Sequence, residues 1–190
     1  IIKELKKHKC KFIKTKKNFS NGTERIASVS KYFKADLIVD IQGDEPLLNP
    51  NDIDKVISFH IKNEKNYDIV LPYLPQKTPG GENTVKIAES KGRVLFFSRS
   101  NIPNPFKKNN IEYYKHLSII SFKPKVLYKF WKLGQSKLEQ IESIELLRAI
   151  ENNFKIGTFK SYSKSFSVDV KEDLDRAIKI MKNDKFRKKY

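Results

Sequence analysis

One cysteine, one methionine, one tryptophan and only seven glycines occur in these 190 residues. The lone Cys10 permits no internal disulfide, which excludes a small cross-linked secreted scaffold and suits a reducing cytoplasm. No apolar run approaches the roughly 20 residues that a membrane-spanning helix needs, so no contact with a membrane is expected. The chain starts at Ile1 without a charged-then-apolar leader, and its only methionine is Met181. The expectation is a downstream piece of a longer or processed polypeptide. Internal repeats, low-complexity linkers, zinc-ligand spacings and RNP-like stretches are also missing, which leaves one domain over 1–190.

Acidic residues are scarce: 22 Asp plus Glu stand against 39 Lys plus Arg, a net charge of +17. Such an excess favours anions, from nucleic acid to nucleotides and phosphosugars. The lysines are spread through almost every segment, however, and no basic helix concentrates them. The charge therefore reads mainly as solvated surface, and nucleic acid is not an expected partner.

What is present is an alternation of helical and strand-like periods. Lys3 to Lys9 resembles a helix end and Cys10 to Lys14 a short strand. "SNGTERIASVSKYF" sets Ile26, Val29 and Phe33 on one helical face after a Gly22-Thr23 turn and cap. A buried strand follows at 36–41, then a helix from Asn49-Pro50 with Ile53, Val56, Ile57 and Ile61 at helical spacing. "YDIVLPYL" is a second buried strand. "TVKIAESKGRVLFFS" predicts a hairpin around Lys91-Gly92, standing off the main sheet. "HLSIISF" is strand, Val126 to Leu133 a short helix, and "SKLEQIESIELLRAIENN" one longer helix with Leu138, Ile141, Ile144 and Leu147 inward. "FKIGTFKSY" and "KEDLDRAIKIMKN" close the chain as strand and helix. The pattern predicts an α/β fold, a doubly wound sheet flanked by helices, with an antiparallel hairpin insertion within about 83–122.

Ligands of such sheets bind beyond the carboxyl ends of strands. There the sequence places "DIQGDEPLL", with Gln42, Asp44 and Glu45 where the apolar run stops, and "FSVDVKED" with Asp169. Two carboxylates at neighbouring strand ends suit a hard cation such as Mg²⁺, which takes one or two protein carboxylates and completes its shell with water and substrate oxygens. Plainer assignments stand beside these. Asp169 and Glu172 have the spacing of a capping pair, Ser136 and Glu139 form an S-x-x-E capping box, and Asp44-Glu45-Pro46 is an ordinary turn. Arg25 can pair on its own helix, Arg99 can be a strand-end surface residue, and His116 a hydrogen-bonded core histidine. Spacing alone leaves these alternatives open.

"NGTERIA", "VDIQGDEPLL", "NTVKIAESKGRVLFFSRSNIPNP", "YKHLSIISF", "KLEQIESIELLRAIENNFKI" and "SVDVKEDLDRA" follow one another from about residue 4 to the last helix. In this order and spacing they resemble the 3-deoxy-manno-octulosonate cytidylyltransferase, or CMP-Kdo synthetase, family. The resemblance implies a nucleotide-diphospho-sugar transferase (Rossmann-like) fold and a cytoplasmic homodimer. The implied reaction moves CMP from CTP to 3-deoxy-manno-octulosonate (Kdo) with release of pyrophosphate, needs Mg²⁺, and activates Kdo for lipopolysaccharide synthesis.

Carried over by position, the resemblance implies that Asn21, Gly22, Thr23 and Arg25 line the cytidine pocket. Gln42 is implied beside the nucleotide and as a catalytic residue, together with the catalytic metal ligands Asp44 and Asp169. Arg99, His116, Glu139 and Gln140 would face Kdo, within a sugar-side lobe that includes the hairpin, and the helix from Ser136 would join the dimer interface. The chain departs from the pattern in three places. It has no match to the family's opening strand and basic triphosphate loop, which leads to an expectation of weak activity for residues 1–190. Ser167 and Val170-Lys171 replace a glycine and a Thr-Pro, and "GQSKLEQ" lacks the usual prolines. Two other functions remain in view. One is a cytidylyltransferase for 8-amino-Kdo or a nonulosonic acid. The other is a non-catalytic basic module for nucleic acid, against which the acidic strand end argues because it would repel phosphate without a metal.

Overall fold

Strand β2, Ile69–Gln76, organises the molecule, because its alternating side chains supply both faces of the core. Ile69 and Leu71 pack into one cluster with Ile120, Phe122, Leu127, Phe130 and Leu147, while Val70 and Leu74 point the other way, toward Val56, Leu117 and Ile119. The computed structural model describes residues 1–15, 18–107, 111–162, 165–184 and 186.

Seven strands form one mixed sheet. Strands β5 (Tyr113–His116) and β6 (Ile119–Phe122) run antiparallel along one edge of β2, with Tyr73 opposite His116 and Ile69 opposite Phe122. Strand β7, Ile156–Lys160, lies parallel along the other edge. Strand β1, Ile38–Ile41, pairs outside β6, and the hairpin of β3 (Lys86–Ser90) and β4 (Arg93–Ser98) pairs outside β5. Helix α3, Pro50–Lys62, covers one face. Helices α2 (Gly22–Ser30), α4 (Pro124–Lys132), α5 (Lys137–Glu142) and α6 (Leu146–Glu151) belong to the other side. Helices α1 (Ile2–Lys7) and α7 (Lys171–Met181) lie at the chain ends. The expected mixed α/β architecture is thus observed. No helix among the described residues is long and apolar enough to cross a membrane.

Local chemistry explains the boundaries. Asn21 caps α2 by accepting the Glu24 amide at 2.8 Å, and Asn49 caps α3, with Pro50 as its first residue. Lys91 and Gly92 both take positive φ, 52° and 77°, as a tight type I′ hairpin turn requires. At Gly157 a Cβ would come within 2.4 Å of the Tyr67 ring, so this strand position has room only for glycine.

Five sequence expectations need correction. Residues 10–14 form no strand: they are exposed, and among the described residues no strand pairs with them to take their backbone hydrogen bonds. The hairpin is part of the main sheet, since β3 pairs with β5 and Arg93 pairs with Gly157 of β7. Strand β1 is only half-buried, and its one fully inward side chain is Asp40. Helix α2 buries Thr23, Glu24, Ala27 and Ser30, leaving Phe33 exposed, and α3 leaves Ile61 outside. The long helix at 136–153 is two helices broken at Ser143, φ 51°, and Ile141 is exposed. Its break has a clear cause. Arg99 donates Nε to the Glu142 carbonyl at 2.8 Å and Nη2 to the Ser143 carbonyl at 3.2 Å, taking acceptors that a continuous helix would use.

Candidate active site

A cavity of about 1010 Å³ opens where β1, β4 and β5 end and α2 begins. Asn21, Gly22, Arg25, Gln42, Asp44, Arg99, His116, Glu139, Gln140 and Asp169 line it, ten of the eleven residues singled out in the sequence. The eleventh, Thr23, is buried behind the wall.

At the end of β1 the two carboxylates of "QGDEP" part ways. The Gln42 amide extends the ladder to the Ser118 carbonyl, and the chain turns with Glu45 N–H donating to the Gln42 carbonyl. Asp44 is left exposed to the cavity, while Glu45 turns inward, where its Oε2 accepts the Ser165 hydroxyl at 2.8 Å. Next to this tie, the Val168 amide donates to the Asp44 carbonyl at 2.8 Å, which fixes the Asp169 segment against the Asp44 loop. Asp169 does not cap α7. Asp173 does so by accepting the amides of Asp169 and Val170, both at 3.2 Å, and the Asp169 side chain stays at the cavity.

Two carboxylates without side-chain hydrogen-bond partners among the described residues, held by a backbone tie, match the small donor set from which Mg²⁺ is usually bound. Among the described residues no group of three or more His, Cys, Asp or Glu forms a closed metal cage. Asp44 and Asp169 therefore fit a cation that shares its shell with substrate.

The other end of the cavity is built differently from the sequence expectation. Arg99 spends Nε, Nη1 and Nη2 on the carbonyls of Glu142, Glu82 and Ser143, so it shapes the cavity as well as lining it. Glu142 returns the grip, accepting Ser98 Oγ at 2.7 Å and the Arg99 amide at 2.9 Å. Lys86 is fully buried and donates to the carbonyls of Thr84, Gly81 and Arg99. Burial, helped by the neighbouring Arg99, lowers its pKa. His116 presents an enclosed Nε2 with no partner among the described residues and packs edge-on to Phe97. Desolvation and Lys115 push it down to about 4, so it is a neutral imidazole at neutral pH.

Glu139 has both oxygens engaged. Arg148 donates Nε at 2.7 Å and Nη2 at 2.6 Å, and the Ser136 amide caps α5 through Oε2 at 3.1 Å. Ser136 Oγ itself has no partner, so only the glutamate half of the capping box forms. Arg148 also reaches Glu24 at 2.9 Å. Burial opposes its charge, but the two carboxylates outweigh that and raise its pKa.

Arg25 extends outward, donating to Thr15 Oγ1 and lying over the Phe19 ring. Thr23 Oγ1 stands between Asp40 and Glu145, and both acids reach the cavity wall. Sequence periodicity missed Asp40, Lys86, Glu142, Glu145 and Arg148. The one available signal was a charged residue at an inward strand position, as at Asp40 and Lys86.

Comparison with known proteins agrees with this geometry. The cytidylyltransferase family model matches residues 1–156. The 3-deoxy-manno-octulosonate cytidylyltransferase of Fusobacterium nucleatum is 37% identical over 177 residues, 90% of this chain and 71% of that one. That of Rickettsia canadensis is 36% identical over 190 residues, covering 96% and 75%. A CMP:2-keto-3-deoxy-manno-octonic acid synthetase solved in complex with CTP superposes with a TM-score of 0.87 at 27% identity, over 94% of this chain and 75% of that one. With such identity over most of both chains, this chain belongs to the 3-deoxy-manno-octulosonate cytidylyltransferase family.

Proposed function

We propose that this chain transfers CMP from CTP to Kdo and releases pyrophosphate, with Asp44 and Asp169 holding Mg²⁺ and the protein working as a cytoplasmic homodimer. One observation carries the reading. The α2 N-terminus, the open carboxylates of Asp44 after β1 and Asp169 ahead of α7, and the Arg99–His116 end converge on one cavity, in a chain that superposes on a CTP-bound synthetase.

The electrostatic problem of the reaction is the approach of a sugar acid to a triphosphate. At about 5 Å and an effective dielectric of about 20, each pair of unit charges costs about 3 kcal/mol. Arg25, Arg99 and Lys115 at the cavity lower that cost. Mg²⁺ on Asp44 and Asp169, when bound, would add charge neutralisation at the phosphates and acidify the attacking hydroxyl. The remaining work falls to the protein. Asn21, Gly22 and Arg25 position the nucleotide, and Gln42 lies beside it. The free N–H groups of Arg99 suit a carboxylate, whereas neutral His116 and Gln140 suit sugar hydroxyls. Exposed Ile141 on α5 supports a second copy packing on that helix.

The test is pyrophosphate release by the full-length protein with CTP, Kdo and Mg²⁺. Turnover that needs all three is expected, and 8-amino-Kdo or a nonulosonic acid working better than Kdo would reassign the acceptor. Absence of turnover with every acceptor would overturn the enzymatic reading.

A further inference from the structure

A threonine hydroxyl has one proton to donate. Thr23 Oγ1 nevertheless lies 2.9 Å from Asp40 Oδ2 and 2.5 Å from Glu145 Oε1. If both acids were ionised, one of these contacts would press lone pair against lone pair at the cavity wall, between groups largely withdrawn from water. A proton on one carboxyl resolves the conflict. Glu145 O–H then donates to Thr23 Oγ1, and Thr23 donates its own proton to Asp40 Oδ2.

Glu145 is the better holder of that proton. Its second oxygen, Oε2, is enclosed with no partner among the described residues, so none of their donors stabilises an ionised form there. Arg148, three residues on, gives its N–H groups to Glu139, Glu24 and the Phe130 carbonyl rather than to Glu145. Burial pushes Glu145 up to about 7. The Thr23 hydrogen bond and the charge of Arg148 oppose this, and the charges of Asp40 and Glu139 reinforce it. Asp40 is raised too, by burial, against the same threonine hydrogen bond.

The three residues join three pieces of the cavity. Thr23 follows Asn21 and Gly22 in the first turn of α2, two residues before Arg25. Asp40 is the inward residue of β1, four before Asp44, and Glu145 immediately precedes α6. We propose that Glu145 is a positioning residue for nucleotide binding: the proton it shares with Thr23 and Asp40 clasps the first turn of α2 to β1 and α6. This rests on the assignment of the α2 N-terminus to CTP made above. When the proton leaves, two anions compete for one hydroxyl and the nucleotide-side wall loses its anchor. Binding of CTP weakens while the chemistry, which lies at other residues, keeps its own pH profile.

Two measurements on the full-length protein test the clasp. In infrared difference spectra of the ligand-free protein, a protonated-carboxyl C=O band should disappear between pH 6 and 8. It should be missing throughout in Glu145→Gln. In kinetics, the ratio of wild-type to Glu145→Gln KM for CTP should climb about tenfold by one pH unit above the midpoint, because only the protonated fraction binds well, while the kcat ratio stays flat. Glutamine mimics the protonated acid by donating N–H to Thr23. Should Glu145→Gln fail to fold, Asp40→Asn is the second variant. Its amide donates to Thr23, Thr23 turns to Glu145, and both the band and the pH slope should vanish. A band that persists in either folded variant, or a KM ratio independent of pH, overturns the clasp. A wild type that consumes no CTP at any pH refutes the functional assignment instead, and the infrared titration then decides the clasp by itself.

Discussion

Replacing Glu139 by Gln separates a sugar contact from a structural ion pair. The substitution preserves shape and one acceptor oxygen but removes the charge facing Arg148, whose side chain is fully buried. In the native protein Arg148 meets Oε2 at 2.7 Å and Oε1 at 2.6 Å, and Ser136 N–H shares Oε2. A glutamine can satisfy one side of this fork and turns an NH₂ toward the other, setting donor against donor. Losing one partner of a buried pair costs about 3–5 kcal/mol. Glu24 still contacts Nη2 at 2.9 Å and retains part of the compensation, so about 2–3 kcal/mol is expected. In a chain of this size each kcal/mol moves Tm by about 2–4 °C, and a fall of about 4–12 °C follows. Because both oxygens are already committed, KM for Kdo should rise less than about threefold. Thermal melts and Kdo titrations on the same preparation provide the check. An unchanged Tm with a rise in KM of about tenfold or more would refute the reasoning, because it would mean that the carboxylate meets the sugar and not Arg148.

Asp44→Asn should lower pyrophosphate release by at least about 100-fold while leaving Tm within about 2 °C, since the exposed side chain has no structural partner; near-wild-type turnover would remove it from the metal site. Arg99→Ala should raise KM for Kdo more than KM for CTP and also lower Tm, and Arg99→Lys should not rescue it, because a single ammonium nitrogen cannot stand at the three separate positions from which Nε, Nη1 and Nη2 reach their carbonyls. A larger shift in KM for CTP would reverse that assignment. For Glu145 the folded value, about 7, lies above the ordinary 4.5, so its stabilising effect is complete below pH 4.5 and is lost as pH rises through 7. Chemical denaturation should show wild type losing up to about 3 kcal/mol relative to Glu145→Gln across that window, and parallel curves would contradict the burial of this acid. Finally, Thr23→Val and Glu139→Gln should be non-additive by about 0.5–3 kcal/mol, because both loosen the same α2–α6 contact; strict additivity would show two independent clusters.

The parts of the fold legible in the sequence were those governed by local chemistry. Asn49-Pro50 announces α3, Lys91-Gly92 announces the hairpin, and the unbroken apolar run around Ile69–Leu71 announces the central strand. Errors arose where a distant group decided the outcome. "SKLEQIESIELLRAIENN" has an unbroken helical period, yet Arg99, more than 40 residues earlier, takes the carbonyls at 142 and 143 and forces the break. Cys10, Phe12 and Ile13 make a short apolar stretch that reads as a strand, but with no strand to pair with among the described residues they remain coil. Helical period placed Ile26, Val29 and Phe33 inward on α2; Ile26 does pack against the core, but Phe33 is exposed, and the buried positions include Thr23 and Glu24, whose polar groups have partners across the molecule.

The same reason explains which site residues could be seen. Asp44 and Asp169 are exposed carboxylates beside turn residues, and a motif reveals them because their side chains lean on no partner among the described residues. The residues that hold the cavity in shape are the opposite kind. Thr23 and Glu145 are 122 positions apart, Glu24 and Arg148 are 124, and Glu45 and Ser165 are 120. Each tie buries a charge or a hydroxyl that a periodic reading assigns to solvent, and each is tolerable only with its partner present. Two of them fasten α2 to the α6 region, and the third fastens the Asp44 loop to the segment leading to Asp169. The wall at the start of α2 and the carboxylates Asp44 and Asp169 are therefore set by contacts that exist only after the first and last parts of the chain have met. A cavity built in this way keeps its exposed polar groups uncommitted, since the buried charges, and not the exposed ones, bear the cost of holding it together.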